Sequence, residues 1–317
     1  MKLTTTLVAT AALLATSCLA QAETRVTYKS AKSTSSYYQM GVQIAEAMKA
    51  GTEGDIIVTV EESQGSVQNV MEVKGRGADY VFTTPPVLVS LAQGGKAMFK
   101  DKGHAKFADI RALFPIPSLT MHFVMSGKSG VTDFAGMDGK TVLLGKGSFG
   151  AREGAKYLKL FGLEDKVKLA EVELSNAVPA LKNGQIDGFV TSGSWPAPNV
   201  VEAAASTDVS ILSLTDDQIA QTKRTKLVIP AGTYAGQDAD INTTSLPVVA
   251  FTTTAMDEAT AYTLTKTFWE QKAKMGAGAP WWNGVSKELM SNISGKLHAG
   301  AVKYYKEAGF ELTQNQM

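Results

Sequence analysis

The chain has 317 residues, 44% hydrophobic and 19% charged, an ordinary globular composition with enough apolar material for one or two buried cores. Lysine and arginine total 31 against 30 acids, so there is no bulk field of either sign for nucleic acid or an anionic membrane. The one cysteine, Cys18, excludes a disulfide framework within the chain.

The first 22 residues have the pattern of a secretory signal. Lys2 precedes an apolar run over 7–14, and Ala20-Gln21-Ala22 is a small-x-small cleavage site. The run is too short to span a membrane as a mature helix. Cys18 raises a second possibility, lipidation and membrane anchoring, but the residues before it lack the usual leucine three positions upstream. The expectation is an exported, periplasmic, neutral protein of about 295 residues without disulfides.

From residue 23 the chain alternates strand, polar turn and helix, which predicts a parallel sheet and an α/β fold. Strands are expected at 25–29, 55–60 and 79–83, with helices at 37–50, 67–73 and from Pro85-Pro86 to Gln93. Two β-rich runs, 111–114 and 119–125, are separated by Pro115 and Pro117. A second series follows: strands at 141–144, 167–174, 186–191 and 209–214, with helices at 151–161, 176–182 and from the Trp195-Pro196-Ala197-Pro198 loop to Ala205. A strand at 246–253 and a long helix capped by Asp257 lead to Trp281-Trp282 and a last helix at 298–308. The stretch 75–84 can be laid over 183–192: each has a glycine helix stop, an Asp opening a buried strand, and two hydroxyl residues at its end. This predicts two lobes: 23–120 as the first part of lobe I, 121–245 as lobe II, and 246–317 as a return segment completing lobe I. The strands 119–125 and 246–253 would form a two-strand hinge with a ligand cleft between the lobes.

The turn between Gly145 and Gly150 spells G-x-G-x-x-G after a strand and before a helix, with Glu171 about twenty residues on. Backbone N–H groups and the helix dipole suit such a turn to an anion. As a dinucleotide fingerprint it would imply an exported nicotinamide-dependent oxidoreductase, but it opens the second lobe rather than the first. No catalytic constellation accompanies it. His104, His122 and His298 lie far apart without partners at metal spacing, and Lys146 spoils a nucleophile elbow at Ser148. The acid pairs Glu61-Glu62 and Asp216-Asp217 read as solvated neighbours. What remains are three helix-opening turns, 30–36, 63–66 and 145–150, at the carboxyl ends of strands, where α/β sheets bind ligands. Lys32, Lys146 and Arg152 are the cations nearby, and Trp195, stiffened by two prolines, could close over a ligand.

Several stretches resemble the solute-binding proteins of tripartite ATP-independent periplasmic (TRAP) transporters, in the TRAP-associated extracytoplasmic immunogenic (TAXI) subfamily. They are Ser33-Thr34-Ser35-Ser36-Tyr37-Tyr38, Gln64-Gly65-Ser66-Val67-Gln68-Asn69, Gly184-Gln185-Ile186-Asp187-Gly188, the Trp195 loop, and above all Ile229-Pro230-Ala231-Gly232-Thr233-Tyr234-Ala235-Gly236-Gln237. The resemblance implies a two-lobed, type II-like periplasmic binding fold, non-catalytic and without cofactor or metal. It would hand a small organic acid such as glutamate or 2-oxoglutarate to a membrane permease. A binding subunit serving a sensor is the alternative partner assignment, and a monomer is expected. Lys32, Ser35, Ser36, Tyr37, Gln64, Gly65, Ser66 and Thr84 are the ligand-binding candidates in the first lobe. Lys146, Ser148, Phe149, Gly150, Arg152, Gly193, Trp195 and Tyr234 are those in the second. Phe149 and Ala151 stand where the family has hydroxyl residues, so the bound group is expected to sit differently here.

Overall fold

The computed structural model describes residues 23–145 and 148–317. The signal segment, Cys18 and Lys146 lie outside these residues.

Strand β1 (Thr24–Lys29) leads through a serine-rich loop into helix α1 (Ser36–Gly51). Ser35 caps α1 by accepting the Tyr37 N–H at 3.2 Å, and Tyr37, Met40, Ile44 and Met48 form its buried stripe. There follow β2 (Ile56–Glu61), α2 (Ser66–Glu72), β3 (Tyr80–Thr84) and α3 (Pro86–Gln93), the last with proline in its first turn. The chain then runs as one 17-residue strand, β4 (Ile110–Ser126).

The second series is β5 (Thr141–Leu143), α4 (Phe149–Leu160), β6 (Lys168–Ala170), α5 (Ala177–Lys182), β7 (Gly188–Gly193) and α6 (Pro198–Ser206). After it come β8 (Val209–Ile211), α7 (Asp216–Thr222), β9 (Thr225–Ile229) and the long return strand β10 (Ile241–Thr253). Helices α8 (Glu258–Gly278) and α9 (Ala299–Glu307) close the chain, α8 capped by Asp257 through the Thr260 N–H at 2.8 Å. Among the described residues no helix is long and apolar enough to cross a membrane.

Strand order shows two lobes of one topology. The path runs β2-β1-β3-β10-β4-β7-β5-β6. In lobe I, β1 pairs in parallel with β2 and β3, and β3 pairs antiparallel with β10. In lobe II, β5 pairs in parallel with β6 and β7, and β7 pairs antiparallel with β4. Strands β3 and β7 hold equivalent places, and they carry the two stretches that match in sequence. Their leading aspartates also act alike: the Asp79 carboxylate accepts from the Thr27 hydroxyl at 3.0 Å, and that of Asp187 from the Thr141 N–H at 2.8 Å. Each ties its strand to the central strand of its own lobe.

β4 and β10 cross between the lobes side by side, and the expected boundaries at 120 and 246 fall inside them. The two β-rich runs expected around Pro115 and Pro117 are therefore a single strand. Proline is tolerated here because the ladder shifts register: Leu246 faces Leu119, yet Val248 faces Ile116, so Pro117 and Ser118 bulge opposite Pro247. The carbonyls freed by the bulge are taken by side chains. The Tyr37 hydroxyl donates to Pro117 O at 3.1 Å, and the Ser194 hydroxyl to Ser118 O at 2.8 Å.

Three further expectations change. Strand β6 ends at Ala170 instead of running to Leu174, and Leu174–Asn176 is a 3₁₀ turn. Glu171 accordingly lies just past the strand, not on its edge. Helix α7 and strand β9 occupy a stretch where no element was expected. Of the acid pairs, Glu62, Asp216 and Asp217 are exposed as expected, whereas Glu61 is half-buried against two cations. Glu61 accepts from Arg76 at 2.5 Å and from Lys29 at 3.3 Å, Glu62 accepts the Ser33 N–H at 2.8 Å, and Asp216 pairs with Lys226 at 2.7 Å.

Candidate functional site

The loops that follow β1, β2, β5 and β6 converge on one cavity of about 70 Å³ between the lobes. Lobe I contributes Ser30, Ala31, Lys32, Ser35 and Tyr37 from the first loop and helix start, and Gln64, Gly65 and Ser66 from the second. Lobe II contributes Gly145, Ser148, Phe149 and Gly150, then Glu173 and Leu174. Thr83, Leu119, Ser192 and Val248 complete the lining from the strands.

Local chemistry explains why the lobe II turn faces the cavity. Gly145 has φ +83°, a left-handed conformation that glycine tolerates, and a side chain there would run into Leu174 at 2.9 Å. Ser148 caps α4 by accepting the Ala151 N–H at 2.9 Å, while the amides of Phe149 and Gly150 have no acceptor within the helix. At Gly150 a side chain would collide with Ser192 of β7, with 2.8 Å to its Cβ, so α4 opens directly against the strand. Across the cavity, a Cβ on Gly65 would stand 4.0 Å from Ser148 Cβ, so the caps of α2 and α4 face each other.

The lobes touch at the rim and at the floor. At the rim, Glu173 of lobe II lies 3.8 Å from Lys32 Nζ of lobe I. With the Gln64 amide oriented to suit its neighbours, its nitrogen donates to Glu173 at 3.2 Å and its oxygen accepts from Lys32 at 3.1 Å. At the floor, the Ser194 N–H donates to Ser36 Oγ at 2.9 Å. Gly193 permits this approach, since a Cβ there would lie 2.6 Å from Ser36 Oγ. The cavity is thus that of a closed cleft.

Of the residues expected from sequence, Lys32, Ser35, Tyr37, Gln64, Gly65, Ser66, Ser148, Phe149 and Gly150 line the cavity together. Ser36 and Gly193 lie beneath it as the interlobe contact. Thr84 is fully buried next to the lining residue Thr83, with a hydroxyl that has no hydrogen-bond partner among the described residues. Arg152, Trp195 and Tyr234 stand apart from the cavity. Arg152 is exposed on α4, because the helix turns position 152 outward once Phe149 and Gly150 face inward. Trp195, after which the chain makes a cis peptide bond to Pro196, lines a separate depression with Pro117, Thr120 and Trp281. Tyr234 is buried in lobe II, where its hydroxyl meets His122 Nε2 at 2.8 Å and accepts the Ala197 N–H at 2.9 Å. Burial pushes the His122 pKa down to about 4, so the ring is neutral. Its Nδ1 lies 3.2 Å from Thr120 O and carries the proton, which leaves Nε2 to accept from Tyr234.

Glu173 and Leu174 are among the lining residues that sequence reasoning missed, as are Thr83, Leu119, Ser192 and Val248 on the strands. The expected strand ran through Glu173 and Leu174, whereas β6 stops early and frees a fourth loop.

Two lobes of like topology, two crossing strands and a cleft walled by loops from both sides define a two-lobed ligand-binding fold of the periplasmic type. Residues 29–309 match the model of the NMT1-like family, and the chain belongs to that family. Solved structures agree in fold. The periplasmic binding protein BugD is similar at TM-score 0.57 and 11% identity, covering 90% of this chain and 98% of that one. A structure described as a periplasmic transporter is similar at TM-score 0.58 and 11% identity, covering 91% and 98%. MatC from Rhodopseudomonas palustris, with bound malate, is similar at TM-score 0.56 and 12% identity, covering 85% and 97%.

Proposed function

We propose that the protein is an extracytoplasmic solute-binding receptor that captures a small organic acid and presents it to a membrane permease of the TRAP type, as the TAXI resemblance implies. The observation that carries this reading is the closed cavity onto which α4 opens. The first two amides of α4, those of Phe149 and Gly150, supply donors, and the helix dipole favours negative charge at that end. Serines 35 and 66 and Lys32 add donors from the opposite lobe. Binding to both lobes stabilises the closed state, and closure is the signal a permease can read.

The same cavity argues against the dinucleotide reading of the Gly145 to Gly150 turn. Gly65 and Ser148 nearly meet across it, and a dinucleotide is many times larger than the space enclosed. The receptor acts as a binder without chemistry of its own.

Melting curves recorded with a panel of organic acids and with NAD(H) test the proposal. One or more acids should raise the melting temperature, by the mass-action stabilisation of about 2.7 kcal/mol expected at a hundredfold excess over Kd. A shift with NAD(H) and with no acid would sink the receptor reading.

A further inference from the structure

We infer that the protein carries a second ligand site, on the reverse side of the hinge from the cleft, for a single-ring aromatic molecule that bears a hydroxyl. The site is the depression that Trp195 shares with Trp281, about 160 Å³ in volume against 70 Å³ for the cleft cavity. Alternation along β4 separates the two: Leu119 lines the cavity, and its neighbour Thr120 lines the depression.

The walls come from both lobes. Trp195 packs against the core of lobe II, and Leu227 of β9 adds to that side. Pro280 and Trp281 follow α8 in the segment that completes lobe I, and the Trp281 Nε1–H donates to Gln43 of α1 at 3.1 Å, which holds its ring in place. The bulge of β4 supplies Pro117 and Ser118. Ligand pockets favour such places, at interfaces between domains and walled by aromatic and apolar side chains with a few polar groups. An apolar cavity of about 150 Å³ accepts benzene, so the space is that of one aromatic ring.

Thr120 supplies the polar requirement. It is 1% exposed, and its hydroxyl has no hydrogen-bond partner among the described residues. A buried hydroxyl left unpaired is costly, and a hydroxyl on the ligand would pair with it as donor or acceptor.

The site is also built across the closed form. Ser118 and Ser194 both belong to its lining and make the floor contact: the Ser194 hydroxyl donates to Ser118 O, while the Ser194 N–H donates to Ser36 in the other lobe. A ring seated between Trp195 and Trp281 touches both lobes in their closed arrangement and stabilises it, which couples this site to the cleft.

Titration of the full chain with phenol and with toluene, followed by ligand NMR, tests the inference. Phenol should saturate one site. Thr120→Val, which keeps the shape of the side chain, should weaken phenol relative to toluene by about fivefold, the loss of one hydrogen bond. Trp195→Ala should weaken both by about tenfold. Saturating phenol should slow hydrogen exchange at the Ser194 N–H, the donor that joins the lobes. No saturable phenol binding, or binding that Trp195→Ala leaves unchanged, would overturn the site. An unmoved phenol-to-toluene ratio in Thr120→Val would overturn the choice of a hydroxyl-bearing ring, and unslowed exchange at Ser194 would overturn the coupling. None of these readouts needs the cleft ligand, so the site and the receptor reading are tested separately.

Discussion

At the scale of single residues, His122 shows how an isolated titratable group in a β-strand can be structural. It donates to Thr120 O, accepts from Tyr234, and is held neutral by burial, with a pKa pushed down to about 4. An unfolded histidine titrates near ~6.5, so between that pH and about 4 the unfolded chain binds the extra proton and the native state does not. Stability contributed by neutral His122 is thus complete above pH ~6.5 and is lost as pH falls, by up to about 3 kcal/mol. Melting as a function of pH should show a shallower acid slope in His122→Gln than in the unaltered chain. Parallel slopes between pH 4 and 6.5 would remove His122 from the acid response. Single-residue roles were only partly legible beforehand. Ser148 could be placed at the opening of a helix because a hydroxyl there is a local signal, and its oxygen caps α4 by accepting the Ala151 N–H. Tyr234 could not be placed, because its partners His122 and Ala197 come from elements distant in the chain.

Elements with a regular period and a cap were legible: α1, α3 and α8 begin within a residue or two of where spacing and capping put them. Errors arose where tertiary pairing overrides local preference. Two prolines inside β4 argue locally for a break, yet β10 and the side chains of Tyr37 and Ser194 hold the strand through it. Helix α7 was recoverable, since Thr215 and Gln218 form a capping box whose spacing is visible in sequence. The junction of α4 with β7 yields a prediction at this scale. Gly150→Ala would drive a methyl into Ser192, an overpacking that costs about 1–3 kcal/mol. Its melting temperature should fall by about 2–4 °C for each kcal/mol lost, and a variant that melts with the parent would show that α4 can slide away from the strand.

For the whole molecule, the repeat of one topology in both lobes was visible from the paired aspartate strands, whereas the way the lobes meet was not. No periodicity links Lys32 and Gln64 to Glu173; only closure brings them together. This contact is a latch on the closed form. Both side chains are partly open to solvent, at 27% and 42%, so its strength is that of a screened pair, about 0.2–1 kcal/mol. Glu173→Gln should shift the lobes toward the open state and weaken ligand binding by up to about fivefold. Small-angle scattering should record a larger radius of gyration for the free variant, restored by ligand. An identical radius for both free proteins would mean that the floor contacts alone keep the cleft shut.

The antiparallel crossing of β4 and β10 also fixes an order of assembly. Lobe II is one continuous stretch between the crossings, so its contacts are complete once that stretch has been synthesised. Lobe I is different: β3 stays an open sheet edge until β10, far along the chain, lies down beside it, and α8 arrives later still to cover α1. The lobe made first is therefore finished last, and for that interval the apolar strand Tyr80–Thr84 and the facing edge of β4 both wait unpaired for β10.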